Sequence, residues 1–187
     1  DDLEALTITS GATVLFSGAI ELAGALTQSA GSVATTLAGA ASVGSAVLAG
    51  TAFNLNNDFV SLGVTTITNS GLVTKNATGN IASAGAFSAS GDVSLAANIT
   101  TSDADLTIGG NLVIAESRTP TLSTGAGGLG HIVVTGTTNG TAGGVAESLT
   151  ALAGTGDVTF TGAVGNNAGT DDLEALTITS GATVLFS

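Results

Sequence analysis

Asp1-Asp2-Leu3-Glu4-Ala5-Leu6-Thr7-Ile8-Thr9-Ser10-Gly11-Ala12-Thr13-Val14-Leu15-Phe16-Ser17 opens the chain and returns, residue for residue, as 171–187. Asp1 recurs as Asp171, a period of 170 residues with no divergence between the copies. The 187 residues therefore read as one complete unit, 1–170, followed by the opening rung of the next identical unit, 171–187. A tandem period of this kind points to a quasi-one-dimensional architecture in which each unit stacks on its neighbour.

Inside the unit a shorter phrase recurs: a glycine, one or two small or polar residues, then alternating apolar positions. It appears as Gly11-ATVLF, Gly31-SVAT, Gly50-TAFNL, Gly71-LVTK, Gly91-DVSL, Gly110-NLVI, Gly130-HIVV and Gly156-DVTF, then as Gly181-ATVLF in the next unit. The spacings are 20, 19, 21, 20, 19, 20, 26 and 25 residues, which predicts about eight rungs per unit with the two long rungs at the seam. Each phrase is a short β segment, because Val, Ile, Thr and Phe suit a pleated, half-buried surface. Alternation puts Val14 with Phe16, and Val158 with Phe160, on one face. Gly and Asn punctuate the segments, and no helical period is sustained. An all-β parallel β-solenoid follows. Its coils should be spaced about 4.8 Å apart, so a unit should advance about 38 Å.

Composition narrows the function classes. The chain carries 14 acidic and 2 basic residues, a net charge of −12, yet is only 9% charged and 43% hydrophobic. That apolar share supports burial, so this is not a disordered polyelectrolyte. Six Phe are its only aromatic residues, which suits a narrow core lined by small side chains. The shortage of Lys and Arg argues against nucleic-acid binding. With no Cys there are no disulfides or thiolate sites. The uncharged stretch between Glu21 and Asp58 is too rich in Ala, Gly, Ser and Thr for a membrane span.

Few residues invite chemistry. Asp1-Asp2-x-Glu4, its copy at 171, 172 and 174, and Asp103-x-Asp105 are the carboxylate clusters. They read as solvated corners, with sparse calcium bridging as the alternative, since hard cations need several converging oxygens. Gly127-Gly128-Leu129-Gly130 lacks the Asp of a calcium-binding nonapeptide, having Ile132 there, and reads as a flexible corner. His131 is the sole histidine and reads as a corner residue; Lys75 and Arg118 fall at different rung positions. The Thr-x-Thr triplets at Thr7, Thr66, Thr135 and Thr159 fall out of register when measured from their glycines, which argues against a flat threonine array. No catalytic, cofactor-binding or metal-ligating residue is assigned, and no enzyme activity is expected.

The phrases LEALTITSGATVLFSGAI, GDVSLAANITT, ADLTIGGNLVIAES and GDVTFTGAVG resemble the β-strand repeats of very large bacterial surface proteins, the filamentous-haemagglutinin-type adhesins and fibres. The resemblance covers essentially the whole chain. It implies a right-handed β-helical fibre, secreted or held at the cell surface, and it carries no catalytic residues.

The expected function is structural: a shaft segment of a long extracellular bacterial filament, stalk or sheath. Its partners would be copies of itself, stacked end to end or continuous in one giant chain, with lateral bundling of fibres. The alternative is an adhesin or autotransporter passenger that binds host cells or polysaccharide through loops near 136–153 and 162–170.

Overall fold

A computed structural model describes residues 3–141, 146–165 and 173–187, and these residues form strands and turns without a helix. The chain coils so that each turn lays one short strand on each of three parallel sheets. Sheet A runs from Leu6–Ile8 through Ala25–Gln28, Ser45–Gly50, Thr65–Asn69, Phe87–Ala89, Leu106–Ile108, Ile132–Val134 and Val158–Phe160 to Val184–Phe186. Sheet B contains Thr13–Phe16, Ala34–Leu37, Ala52–Leu55, Val73–Lys75, Val93–Leu95, Leu112–Ile114 and Thr138–Asn139. Sheet C contains Ile20–Glu21, Ala41–Val43, Phe59–Ser61, Ile81–Ser83, Ile99–Thr101, Thr121–Ser123, Glu147–Leu152 and Leu173–Ser180. This is the parallel β-solenoid that the glycine-led phrases predict.

Most of the three-residue strands have the outer two residues buried and the middle one partly exposed, the period-2 pattern of a sheet with one wet face. Buried residues stack in columns along the axis. In sheet A, Ala46, Thr65, Phe87, Leu106, Ile132 and Val158 lie one above another. In sheet C, Ala41, Phe59, Ile81, Ile99, Leu122 and Ala151 do the same. Full burial of each larger apolar side chain contributes about 1.5–3 kcal/mol. Because a coil pairs only with the coils above and below it, this gain accrues by nearest-neighbour stacking. The uncharged segment between Glu21 and Asp58 is part of this stack, as five consecutive strands.

Coil length changes partway along. Register partners Leu6, Leu26, Ala46, Thr65, Phe87 and Leu106 are 19 to 22 residues apart. From Leu106 to Ile132, Val158 and Val184 each turn takes 26. The extra length lies in wider corners, including the turn around Arg118 between sheets B and C.

That lengthening corrects the expected glycine ladder. The phrases at Gly11, Gly31, Gly50, Gly71, Gly91 and Gly110 lead onto sheet B, but those at Gly130, Gly156 and Gly181 lead onto sheet A. The residue stacked on Gly110 is Gly136, whose N–H donates to the Gly110 carbonyl at 3.0 Å. A glycine followed by alternating apolar residues marks any corner entering any strand, so the phrase identifies a rung without identifying its face.

Candidate functional site

The polar chemistry of the solenoid is concentrated at its three corners. Immediately before many strands stands an Asp, Asn, Thr or His, and these residues link successive coils. At the entrance to sheet C, Asp58 Oδ1 accepts the Asn80 N–H at 2.8 Å, Asn80 Oδ1 accepts the Asn98 N–H at 3.1 Å, and Asn98 Oδ1 accepts the Thr121 N–H at 2.8 Å. At the entrance to sheet B, Asp92 Oδ1 accepts the Asn111 N–H at 2.7 Å, and Asn111 Oδ1 accepts the Thr137 N–H at 2.9 Å. At the entrance to sheet A the series is Asp105 to His131 N–H at 2.9 Å, His131 Nδ1 to Asp157 N–H at 3.0 Å, and Asp157 to Thr183 N–H at 3.0 Å.

The return bonds run in the opposite direction. Ile81 N–H donates to the Asn98 carbonyl, Val93 N–H to the Asn111 carbonyl, and Ile132 N–H to the Asp157 carbonyl, each at 2.8 or 2.9 Å. Each corner residue thus gives its carbonyl to the coil before it and its N–H to that coil's side chain. Backbone donors at corners lie outside the sheet ladders, and a short side chain with an acceptor satisfies them.

These ladders place the carboxylates read as solvated corners. Asp103 and Asp105 do not converge: Asp105 belongs to the sheet A ladder, whereas Asp103 sits at a left-handed φ of 56° with its N–H bonded to the Thr124 carbonyl at 3.0 Å. A Cβ on Gly128 would lie 2.3 Å from Asp103 Oδ1, so the corner containing Gly128 and Gly130 is packed closely over the previous coil. Among the described residues no three His, Asp or Glu side chains gather as a metal-holding group. Asp1, Asp2, Asp171 and Asp172 lie outside the described residues. His131 is at a corner, half exposed, with Nδ1 3.4 Å from Asp157 Oδ2. Since Nδ1 accepts a backbone N–H, the neutral ring carries its proton on Nε2.

The threonine triplets are also corrected. Thr7, Thr27, Val47, Thr66, Ser88, Thr107, Val133 and Thr159 form one outward column on sheet A. Thr7, Thr66 and Thr159 therefore share a register that distances from the glycines conceal, because the corners between vary in length. Val47 and Val133 interrupt the hydroxyls.

The residue whose burial the sequence reading did not anticipate is Lys75. It stands in the inward column of sheet B formed by Leu37, Leu55, Lys75, Leu95 and Ile114, and is 1% exposed. Its Nζ turns into the corner between sheets B and C and donates to the carbonyls of Thr78 at 2.6 Å, Asn76 at 2.9 Å and Leu55 at 3.4 Å. Three donors meet three acceptors, so the ammonium is fully bonded without a carboxylate in contact. Burial holds the lysine below its ordinary pKa, with the charge of Asp58 acting in the opposite direction. A sequence signal existed: in Leu72-Val73-Thr74-Lys75, alternation puts Lys75 on the same side as buried Val73. Arg118 is instead on the exposed turn, beside a surface groove lined by Asn80 and Asn98.

Other buried polar side chains close the remaining corners. Asn69 Nδ2 donates to the Gly71 carbonyl at 2.6 Å and its Oδ1 accepts the Gly91 N–H at 2.9 Å. Ser83 donates to the Gly63 carbonyl at 2.8 Å, and Thr124 to the Gly130 carbonyl at 2.8 Å.

The fold and corners define a parallel β-solenoid whose coils are tied by asparagine and aspartate ladders. No protein-family model, curated protein or solved structure matches this chain. The described residues contain no helix long and apolar enough to cross a membrane.

Proposed function

We propose that this chain is a shaft segment of a long extracellular filament, in which tandem units continue one solenoid. One observation carries the reading: the backbone pairing runs along a single axis from coil to coil, and from Asp58 onward the corner ladders run along the same axis. Tension along that axis is shared by three sheets and three corner columns. An uncovered strand edge is a template for further pairing. In an array the adjoining unit covers it, and the repeated segment 171–187 supplies the first strands of that cover.

The small-residue core and the net negative charge fit this role. A narrow core lengthens without limit because each coil needs only its neighbours. Surface charge of one sign keeps single shafts apart at low ionic strength and permits cation-mediated bundling at higher ionic strength. The resemblance to filamentous-haemagglutinin-type β-strand repeats supports an exterior location on the same grounds.

Fibre diffraction or cryo-EM of the native assembly tests the proposal. A meridional spacing near about 4.8 Å is expected. Isolated globular particles, or strands lying along the fibre axis, would overturn it. Saturable attachment of monomeric protein to one cell-surface polysaccharide would favour the adhesin reading instead.

A further inference from the structure

The same sequence occupies two different places in this molecule. In the first copy Leu6–Ile8 pairs with Ala25–Gln28 on sheet A, and Thr13–Phe16 pairs with Ala34–Leu37 on sheet B. In the second copy the equivalent residues are one face earlier. Leu173–Ser180 pairs with Glu147–Leu152 on sheet C, and Val184–Phe186 pairs with Val158–Phe160 on sheet A.

Both placements use one set of inward residues. Leu6 stacks on Leu26, and its copy Leu176 on Leu149; Val14 stacks on Thr35, and Val184 on Val158. Phe16 stacks on Leu37, and Phe186 on Phe160 with ring centroids 5.7 Å apart. The Gly11 corner turns from A to B, and its copy at Gly181 turns from C to A. Alternation settles which side chains face inward, while the walls are alike enough to accept the first strand of the segment on A or C and the second on B or A. Length settles the wall. Returning to sheet A takes the chain from Leu6 to Val184, whereas the copy of Leu6 is Leu176, one strand short.

We propose that each 170-residue unit winds a whole number of turns less one face, so that successive units are rotated by about a third of a turn. This rests on the tandem-shaft reading. Each exposed feature then moves to the next face or corner in every unit and returns after three. The Arg118 turn, on the B–C corner in this unit, follows that progression. A shaft built this way presents the same surface on all three sides, and a laterally packed second shaft meets equivalent contacts whichever side it approaches.

Paired cysteines distinguish this arrangement from units in phase. Ser148 and Ala175 are register partners on sheet C. Were the second copy to occupy sheet A as the first does, Thr177 would instead lie beside Thr159. Neighbouring parallel strands bring Cα atoms about 4.8 Å apart, within disulfide range. Ser148→Cys with Ala175→Cys, and Thr159→Cys with Thr177→Cys, are made in this chain and in a chain continued by a second full unit. After mild oxidation we expect near-complete cross-linking of the first pair and free thiols in the second, read by mass spectrometry. Cross-linking of the second pair, or of neither, would overturn the rotation. The meridional strand spacing of the native fibre is independent of this result, so failure of the rotation and failure of the shaft are separately visible.

Discussion

Asp92 Oδ1 accepts the backbone N–H of Asn111 across one coil step at 2.7 Å, and the Asn111 carbonyl in return accepts the N–H of Val93 at 2.8 Å. Asp92→Ala removes the first bond and leaves the second. Since the site is exposed, water replaces part of the loss, and a cost of about 0.5–1.5 kcal/mol is expected. Asp92→Asn keeps an oxygen acceptor and should be nearly neutral. Amide hydrogen exchange reads the effect locally: the Asn111 amide should exchange several-fold faster in the alanine variant only. Unchanged protection there would mean that the ladder is incidental.

Lys75→Ala removes a buried stem from the column between Leu55 and Leu95 and strips three corner carbonyls of a donor. A loss of about 2–4 kcal/mol is expected, centred on the corner after Lys75. Thermal or chemical unfolding with hydrogen exchange at 76–81 measures it. Stability equal to the parent would remove the lysine from any structural role.

Lys75 also predicts a pH dependence. Burial lowers its folded pKa below the ordinary 10.5. Between the lowered value and 10.5 the unfolded chain binds more protons than the folded one, so stability rises with pH in that window. Below the folded value the penalty for burying the charge is fully present and constant. Lys75→Met lacks this titration, so the parent should gain on the variant as pH climbs towards 10.5. A difference that is constant, or moves the other way, would contradict the assignment.

Gly156→Ala places a Cβ 2.1 Å from the Gly130 carbonyl oxygen, a backbone atom of the coil below. The coils must separate locally, at a cost of about 1–3 kcal/mol. Gly127→Ala, where a Cβ meets nothing within 4 Å, is the matched control. Equal melting temperatures for the two variants would refute the close stacking at Gly156.

Phe53 is fully buried in sheet B, with Thr35 on one side and Val73 on the other in its column. Phe53→Ala should cost about 3–5 kcal/mol. Because cooperativity along a solenoid is carried by neighbours, unfolding of the variant should broaden or split, with coils near Phe53 melting first. A single sharp transition at the parental midpoint would argue against column packing as the main source of stability.

How far the molecule was legible from its sequence differs from residue to residue. Val93, Val158 and Phe160 alternate with polar neighbours, and all three are buried as alternation requires. Asp92 and Asp157 precede their strands directly and lie at corners, as the punctuation implied, but their acceptor role spans 19 and 26 residues. That role depends on which residue of the next coil arrives overhead. Lys75 was obscured because a lysine is read as solvated; its burial becomes acceptable only once Asn76, Thr78 and Leu55 present their carbonyls.

The amino-acid sequence alone determined the local period. Strand and corner alternate, the side of each strand that turns inward is set by neighbours two residues apart, and short β-branched segments evenly spaced between glycines favour stacked coils. The tertiary structure decided which wall each strand joins. That choice accumulates over every corner since the start of the coil, so a few added residues near Arg118 and Gly128 shift the Gly130, Gly156 and Gly181 phrases to another sheet. The two identical seventeen-residue segments show the division most directly: their inward faces agree, because alternation is local, and their walls differ, because the coil beneath each one is different.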